Sequence, residues 1–494
     1  MRLFAPPTSE EWLFIVVVFF LVGMMVAAAE LIRRLLNGGS EVTRKFVHII
    51  AGVLMMCSPF VFNSGIPVLT ITGIMIVATF LSIKLDFLKS LHGIDRSSYG
   101  TTYHPLSFFL LVLLFWDVSP VILTISISIL AIPDALAAMV GQRVKDPHFI
   151  DLDLERKTVE GTMTMFVSSF LCIFGLFEYF HIQTAVPVFI VVLVISMFVT
   201  GWELISFKGS DNLTVPMSAA FLLYYFMFPT TVHPSEQMIL ATVLGVLIGL
   251  FSYYFNFLSL SGSVATFLLA TIVFGIGGWM WTIPILTFFI ASSLLSKYGK
   301  AKKKKLELIF DKSSKRDSGQ VAANGGLAGL IVILWYSFPE RDEFYVLYLA
   351  SIAAVTADTW GTEIGTLLKG KPRSIITFRP VDVGTSGGVS LAGFIGGAVG
   401  AGLIIVSAAV FEPSFISLTI SAKLILSGVI GSAVDSLLGA TIQAQYQTVD
   451  GDVTERTTVH GVPTTLVRGF RWMNNDLVNL CCGLSGALVA YILL

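Results

Sequence analysis

Long apolar runs with almost no charge recur along the whole chain, and they limit its possible folds more than any other feature. Trp12 to Ile32 and Ile66 to Ile83 are two such runs. A helix of about 20 apolar residues crosses the roughly 30 Å hydrocarbon core of a bilayer and satisfies its own backbone. The chain is also 55% hydrophobic and only 13% charged, with a mean hydropathy of +0.83. The sequence therefore predicts an all-α integral membrane protein.

Breaks at proline, glycine and charge clusters divide the chain into a polytopic bundle of about sixteen transmembrane helices. The stretch Thr266 to Ser296 contains "GIGGWMWTIP" and counts as one span or two. A boundary is expected at "PTTVHPSE", residues 229–236, between two related halves, 1–230 and 236–494. Duplicated halves are common in membrane proteins.

Basic residues are confined to alternate loops, which sets the expected orientation. The opposite loops, such as "TVHPSE" and "PERDE", are nearly free of lysine and arginine. The positive-inside rule then predicts both termini outside and the basic loops in the cytoplasm. The Lys-rich stretch 297–316 is interpreted as an anchor beside anionic lipid, with the gathering of anionic substrates as the alternative. The basic loops contain Arg33, Arg34, Arg44, Lys45, Lys84, Lys89, Arg96, Arg143, Lys145, Arg156 and Lys157.

Three aspartates interrupt apolar runs: Asp134 in "IPDALAAMVGQRV", Asp358 in "AVTADTWGTEIG" and Asp435 in "GSAVDSLLGATIQ". An aspartate near the centre of a membrane helix costs about 2.5–3.5 kcal/mol, so it usually faces the bundle interior or a cavity. Each acid begins a helix face with small or polar residues one and two turns later. These faces are Asp134–Ala138–Gly141, Asp358–Thr362–Gly365 and Asp435–Gly439–Gln443. We predict the three aspartates as Mg²⁺ ligands.

Glu363 is five residues after Asp358 and therefore points about 140° away from it on a helix. We expect its partner on another helix.

A cytoplasmic segment suited to anions follows each of the first two acids. "RKTVEGT" offers Arg156, Lys157, Thr158 and Gly161 at a helix start, where free N–H groups favour an anion. "FRPVDVGTSGGVS" offers Arg379 together with Gly384, Thr385, Ser386 and Gly387. Nucleotide phosphate is one interpretation of these segments; helix capping by Thr158 or Ser386 is the other. Asn324 in "QVAANGG" and Asn475 in "RWMNNDLVN" are further candidate ligands, with a capping role as the alternative.

Residues 40–205, with "RKFVHIIAG", "PDALAAMVGQRV" and "RKTVEGT", resemble the dolichol and phytol kinase family of CTP-dependent polyisoprenoid alcohol kinases. Residues from about 240 to 494, with "RDSGQVAANGG", "TADTWGTEIG" and "VDSLLGATIQAQY", resemble the DUF92 family, which includes plant phytyl-phosphate kinases. The resemblance implies that a prenyl alcohol becomes a monophosphate and then a diphosphate, with CTP as donor and Mg²⁺ as cofactor. It places nucleotide and metal binding on Asp134, Lys157, Thr158, Glu160 and Gly161. The implied catalytic residues are Asp134, Lys157, Glu160, Asp358 and Asp435.

When the two segments are aligned, the second half has Gly384 and Thr385 at the positions of Lys157 and Thr158 in the first half. The cation for its phosphate is therefore predicted to be Arg379 or Lys371. The expected partners are prenyl lipids and a nucleoside triphosphate, not nucleic acid. The alternatives are a phosphatidate cytidylyltransferase-like CDP-lipid synthase and a membrane transporter, which would also explain intramembrane acids. A structural membrane subunit is a further alternative, but the three acids argue against it because they cost stability without obvious partners.

Overall fold

A computed structural model describes residues 2–36, 40–85, 98–152, 155–303, 315–368, 370–413, 417–459 and 462–494. It divides into two compact units, the first ending at Ile239 and the second beginning at Leu240. The expected boundary at 229–236 lies shortly before that point. Lys89 and Arg96 of the basic loops, and residues 304–314 of the Lys-rich stretch, lie outside the described residues.

Helices dominate both units, as predicted for an all-α membrane protein. The first unit contains α1 Ser9–Leu36, α2 Ser40–Val61, α3 Ile66–Lys84, α4 Gly100–Phe115, α5 Pro120–Ala131, α6 Pro133–Arg143, α7 Val159–Tyr179, α8 Val188–Ile205 and α9 Asp211–Met227, and its last helix, α10 Ser235–Tyr254, continues across the boundary. The second unit contains α11 Leu260–Lys303, α12 Ser318–Ser337, α13 Glu343–Leu367, α14 Leu391–Ala409, α15 Leu418–Thr441 and α16 Asn475–Leu493.

Among the described residues, 10 helices are long and apolar enough to cross a membrane, and two shorter apolar helices accompany them. The chain is therefore a multi-pass membrane protein. The predicted number of about sixteen spans stays a prediction.

α11 is a hairpin of two helical segments. The backbone at Gly278 has φ 59° and ψ −155°, which interrupts the helix. A straight helix from Leu260 to Lys297 would be about 55 Å long at 1.5 Å per residue. Lys297 nevertheless donates a hydrogen bond to the carbonyl of Phe255, at 2.9 Å, and its ammonium lies 3.5 Å from the ring centroid of Phe257. The chain therefore turns back at Gly278.

The helix that carries Asp134 is broken directly before it. α5 ends at Ala131 and α6 begins at Pro133, so Asp134 lies in the first turn of α6. Proline lacks the N–H that would continue the ladder of the preceding helix. Asp134 nevertheless lies within Pro120–Arg143, an apolar stretch long enough for one membrane span, and Asp358 lies inside the continuous helix α13.

Short strands connect the helices next to the acidic faces. β1 Phe149–Asp151 pairs antiparallel with β2 Arg156–Thr158 before α7, and β3 Arg373–Ser374 pairs with β4 Gly388–Val389 before α14. Between α15 and α16 lie β5 Gln445–Gln447, β6 Val453–Thr454, β7 Thr458–Val459, β8 Val462–Pro463 and β9 Thr465–Arg468. β5 is the central strand of the sheet β6-β5-β9, and β7 pairs with β8.

Candidate functional site

The first unit contains a cavity of about 1340 Å³ that combines charged and apolar walls. Its charged wall includes Lys45, His48, Asp134, Lys157, Glu203 and Asp211. Its apolar wall includes Phe19, Val22, Met25, Ile74 and Met75 of α1 and α3. The predicted face Asp134–Ala138–Gly141 lines this cavity. Such a space can accept a molecule with a polar head and a hydrocarbon tail.

Asp134 forms a buried ion pair with α2. Lys45 Nζ lies 2.9 Å from Asp134 Oδ2, and the two side chains are only 11% and 9% exposed. His48 Nε2 is 3.8 Å from the same oxygen and 3.0 Å from the carbonyl oxygen of Leu130. The His48 ring also stacks on His104 at 4.4 Å. One oxygen of Asp134 is therefore already held by a cation of the protein.

Lys157 is held by a second ion pair. Its Nζ is 2.6 Å from Glu203 Oε1 of α8. Burial works against the charge of Lys157, but the carboxylates of Glu203 and Asp211 outweigh that cost and raise the pKa of Lys157 above its usual value. The ammonium is therefore charged at neutral pH and can bind an anion entering the cavity.

The start of α7 packs closely against the acidic face of α6. Thr158 is the N-cap of α7, and its Oγ1 accepts a hydrogen bond from the Gly161 N–H at 3.1 Å. A Cβ placed on Gly141 would lie 2.7 Å from that oxygen and 3.5 Å from the Gly161 Cα. Capping, one of the two sequence interpretations, is thus present at Thr158, and Thr158 and Gly161 also line the cavity.

Arg156 and Glu160 lie at the edge of this arrangement. Arg156 Nε is 3.3 Å from Asp151 Oδ1 across the β1–β2 hairpin, and both side chains are exposed. Glu160 accepts hydrogen bonds from the backbone N–H of His148, and its Oε1 lies 2.7 Å from His148 Nδ1. Arg156 lines the cavity, whereas Glu160 does not. The structure therefore brings together Asp134, Lys157, Thr158 and Gly161, with Arg156 at the rim.

Sequence reasoning missed Glu203 and Asp211, although each had a signal. Glu203 is an acid inside the apolar run "FVTGWELI", and Asp211 opens α9 in "GSDNLTVP". Asp211 Oδ1 accepts hydrogen bonds from the N–H and the side-chain amide of Asn212, at 2.9 and 3.0 Å.

The second unit has its own cavity of about 690 Å³. The carboxyl groups of Asp358 and Asp435 lie side by side there, within hydrogen-bonding range. The Ser432 hydroxyl donates to Asp358 Oδ1 at 3.4 Å. Asp435 Oδ2 is buried and has no hydrogen-bond partner in the described part of the chain. The predicted face Asp358–Thr362–Gly365 lines the cavity, as do Asp435 and Gln443 of the third face.

This carboxyl pair fits a divalent cation. Mg²⁺ usually takes one or two carboxylates and completes its shell with water and phosphate oxygens, so a pair with an unsatisfied oxygen suffices. No group of three His, Cys, Asp or Glu side chains arranged for a metal occurs among the described residues. The fit at Asp134 is weaker, because Lys45 already neutralises that carboxylate.

Ser386, Gln443 and Asn475 form a polar network beside the two aspartates. The Ser386 hydroxyl donates to Gln443 Oε1 at 2.7 Å. Gln443 Nε2 donates to Glu455 Oε1 at 2.9 Å and lies 3.5 Å from Asn475 Oδ1. Gly384, Thr385 and Gly387 line the same cavity. The network joins the loop before β4 to the ends of α15 and α16.

The predicted alignment of the two halves is wrong by several residues. Gly384 and Thr385 lie in the loop between β3 and β4 and do not begin a helix. The residue that corresponds to Thr158 is Ser390, which caps α14 and accepts a hydrogen bond from Gly393 N–H at 3.0 Å. A Cβ on Gly365 would lie 3.2 Å from the Ser390 Oγ, as one on Gly141 would approach Thr158. In both halves an acidic helix packs its glycine against a helix start that follows a β-hairpin.

Among the described residues, three cations line the second cavity, but they are not the predicted ones. Arg379 and Lys371 are exposed and do not line it. Asn324 donates to the Gln320 carbonyl and lines a separate small cavity of about 70 Å³. The cations at the cavity are Lys297, Lys315 and Arg316, from the stretch interpreted as a topology anchor. Glu363 does find its partner on another helix, since it accepts a hydrogen bond from the Ser296 hydroxyl of α11 at 3.0 Å.

Comparison with known proteins finds a family match in the second unit. The family described as "Integral membrane protein DUF92" matches residues 243–487. Protein PGR of Arabidopsis thaliana is 33% identical over 271 residues, which cover 50% of this chain and 92% of PGR. The chain belongs to the DUF92 family.

Other relatives of this DUF92 protein bear the name of an enzyme. A protein named phytol kinase, from Synechocystis sp., is 37% identical over 197 residues, covering 40% of this chain and 83% of that relative. A probable phytol kinase 1 of Glycine max is 26% identical over 228 residues, covering 40% of this chain and 70% of that relative. No solved structure matches the DUF92 protein.

Proposed function

We propose that this DUF92 protein phosphorylates a membrane prenol twice. The first unit converts a prenyl alcohol, such as phytol or geranylgeraniol, into its monophosphate, and the second converts the monophosphate into the diphosphate. CTP is the proposed phosphoryl donor, and both cavities open to the cytoplasm. One observation carries the proposal. Each unit has a cavity at which an acidic helix packs against the capped N-terminus of a second helix, and that second helix follows a β-hairpin. The relatives named phytol kinase support the reaction class.

The residues of the first cavity suit transfer to an alcohol. Phosphoryl transfer depends mainly on positioning and charge neutralisation. The prenyl tail would lie against Phe19, Met25 and Met75, with the hydroxyl at the charged wall and the donor phosphates near Lys157. The hydroxyl oxygen bonds to the γ-phosphorus, the bond to the β-phosphate oxygen breaks, and the nucleoside diphosphate leaves. Asp211 is the carboxylate proposed to accept the hydroxyl proton.

In the second cavity the acceptor is a phosphate oxygen instead of a hydroxyl. Asp358 and Asp435 would hold Mg²⁺, which when bound screens the charge of the donor phosphates. Ser386, Gly387 and Asn475 would contact the phosphates through hydroxyl, N–H and amide groups. The acceptor oxygen bonds to the γ-phosphorus, and the nucleoside diphosphate again leaves.

The test uses purified full-length protein with Mg²⁺, γ-labelled CTP and either prenyl alcohol or prenyl monophosphate. We expect Asp134→Asn to abolish monophosphate formation and leave conversion of added monophosphate intact. Asp358→Asn should have the reverse effect. Loss of both activities in either variant would contradict two independent sites. In a parallel assay with α-labelled CTP, transfer of the label into lipid would indicate a CDP-lipid synthase. Uptake of a substrate into sealed vesicles without nucleotide turnover would indicate a transporter.

A further inference from the structure

The two cavities differ in how their least exposed cations are paired. In the first, Lys45 and Lys157 each lie within 3 Å of a carboxylate, at 2.9 and 2.6 Å. In the second, the guanidinium of Arg316 lies 5.5 Å from the ring centroid of Phe288. Within the described part of the chain, no carboxylate comes within salt-bridge distance of Arg316. Arg316 lines the second cavity and also the small cavity that contains Phe288, and its guanidinium has no ion-pair partner there among the described residues.

The position of Arg316 is fixed by its backbone. Its N–H donates to the Phe257 carbonyl at 3.3 Å, and its carbonyl accepts from Ser259 N–H at 3.0 Å. Any side chain on Gly262 would collide with that carbonyl. Directly afterwards, Asp317 caps α12 by accepting a hydrogen bond from Gln320 N–H at 2.9 Å. The backbone of Arg316 is therefore held between the segment that leads into α11 and the start of α12.

The charged residues of this cavity lie in two regions, and Glu363 lies with the cations, since it accepts a hydrogen bond from Ser296 of α11 and its charge acts on Arg316. Asp358 and Asp435 are adjacent on α13 and α15, and Glu455 approaches the same region through Gln443. Arg316 and Lys297 lie toward α11 and the start of α12. Burial lowers the pKa of Arg316 to about 10, although Glu363 opposes that shift, so the guanidinium is fully charged near pH 7.

A half-buried arginine without a carboxylate partner can bind an anion whose oxygens accept hydrogen bonds from two neighbouring N–H groups of the guanidinium. Phosphate matches that geometry, and charge-assisted pairs of this kind are about twice as strong as neutral hydrogen bonds. A prenyl alcohol carries no charge to meet it. We infer that Arg316 binds the phosphate already present on the lipid substrate and thereby makes the second unit selective for the monophosphate over the alcohol. This inference rests on the proposed function of the second unit.

The test measures both steps in the full-length chain. Arg316→Gln should raise KM for prenyl monophosphate by about tenfold to a hundredfold, the loss expected for one hydrogen bond to a charged group. KM for CTP and the rate of alcohol phosphorylation should stay unchanged. Arg316→Lys keeps the charge but not the planar fork, so its KM should be intermediate. Arg341→Gln removes an exposed arginine of the same unit away from the cavity and is the matched control.

The possible outcomes distinguish the inferred role of Arg316 from the proposed function of the second unit. If the wild-type chain does not phosphorylate prenyl monophosphate, the proposed function of the second unit fails. If it does, and Arg316→Gln raises KM for CTP alone, the arginine binds the donor phosphates and the inference is overturned. Unchanged KM values for both substrates also overturn it. If Arg316→Gln does not fold, two other measurements decide the question. Arg316→Lys should raise KM for prenyl monophosphate, and a prenyl phosphonate, but not a prenol, should inhibit the second step of the wild-type protein.

Discussion

At the scale of single residues, the contact between Asp358 and Asp435 is the most informative feature of the second cavity. Two neighbouring carboxylates repel each other unless a proton or a cation lies between them. The buried oxygen of Asp435, unsatisfied in the described part of the chain, adds a desolvation cost. Under the proposed function, a bound Mg²⁺ would neutralise this pair and satisfy the buried oxygen.

We therefore expect Asp435→Asn to stabilise the metal-free protein while abolishing diphosphate formation. Replacing one carboxyl of this buried pair by an uncharged amide should raise Tm by about 2–4 °C, the shift that about 1 kcal/mol produces in a unit of this size. Mg²⁺ should raise Tm of the wild type but not of the variant, as measured by thermal unfolding in detergent. Asp450→Asn, on an exposed loop acid, is the control. A variant that Mg²⁺ stabilises as strongly as the wild type would exclude Asp435 as a ligand.

Sequence reasoning identifies these acids as cavity residues but does not identify Arg316 as one, for a physical reason. A carboxylate in an apolar run is costly, so its presence indicates a cavity or a partner. A basic residue at the membrane edge is ordinary, because anionic lipid and water both stabilise it. Arg316 also lies a whole helix away from Asp358 in the chain, and only the fold of α11 and α12 brings the two to one cavity.

At the scale of elements, the repeated unit is an acidic helix, a β-hairpin and a capped helix start. Helical spacing predicts the acidic faces, since i, i+4 and i+7 share one side of a helix. It does not predict the alignment of the hairpins. β3 and β4 have two residues each, too few to show the alternation that identifies a strand. The sequence pattern consequently predicts a helix start at the glycines of the β3–β4 loop, whereas the helix starts after Ser390.

The contact between α6 and α7 leads to a prediction with an internal control. An alanine at Gly141 would place its Cβ 2.7 Å from Thr158 Oγ1, so Gly141→Ala must displace the cap of α7. Overpacking costs about 1–3 kcal/mol, which exceeds the 0.5–1 kcal/mol that alanine gains over glycine in a helix. We expect lower stability and at least about tenfold slower monophosphate formation, with the second step unchanged.

Gly175 is the matched control for that substitution. It lies in α7 as well, but a Cβ there would meet nothing within 4 Å. Gly175→Ala should therefore be neutral or stabilising in the same thermal unfolding experiment and should not alter either activity. Equal losses in both variants would show that helix propensity, and not the close approach at Gly141, determines the result.

At the scale of the whole molecule, the distribution of charge predicts the orientation in the membrane. We expect Glu340→Cys, in the loop after α12, to react with a membrane-impermeant maleimide in intact cells. Lys145→Cys, after α6, should react only once the membrane is permeabilised, because basic loops stay in the cytoplasm. Both reporters are placed in a chain whose natural cysteines, Cys57, Cys172, Cys481 and Cys482, are replaced by alanine. The opposite labelling pattern would invert the topology and move both cavities away from cytoplasmic nucleotide.

The turn of α11 at Gly278 determines the parity of membrane crossings. A straight helix would end on the opposite side of the membrane from its start. This hairpin instead brings Lys297 back to Phe255, which lies just before the helix begins. Every later element, including Asp358 and the capped start of α14, inherits its face from that return. The backbone angles at Gly278 lie in a region that is essentially restricted to glycine. One residue without a side chain thus selects the side of the membrane on which all later elements of the second unit begin.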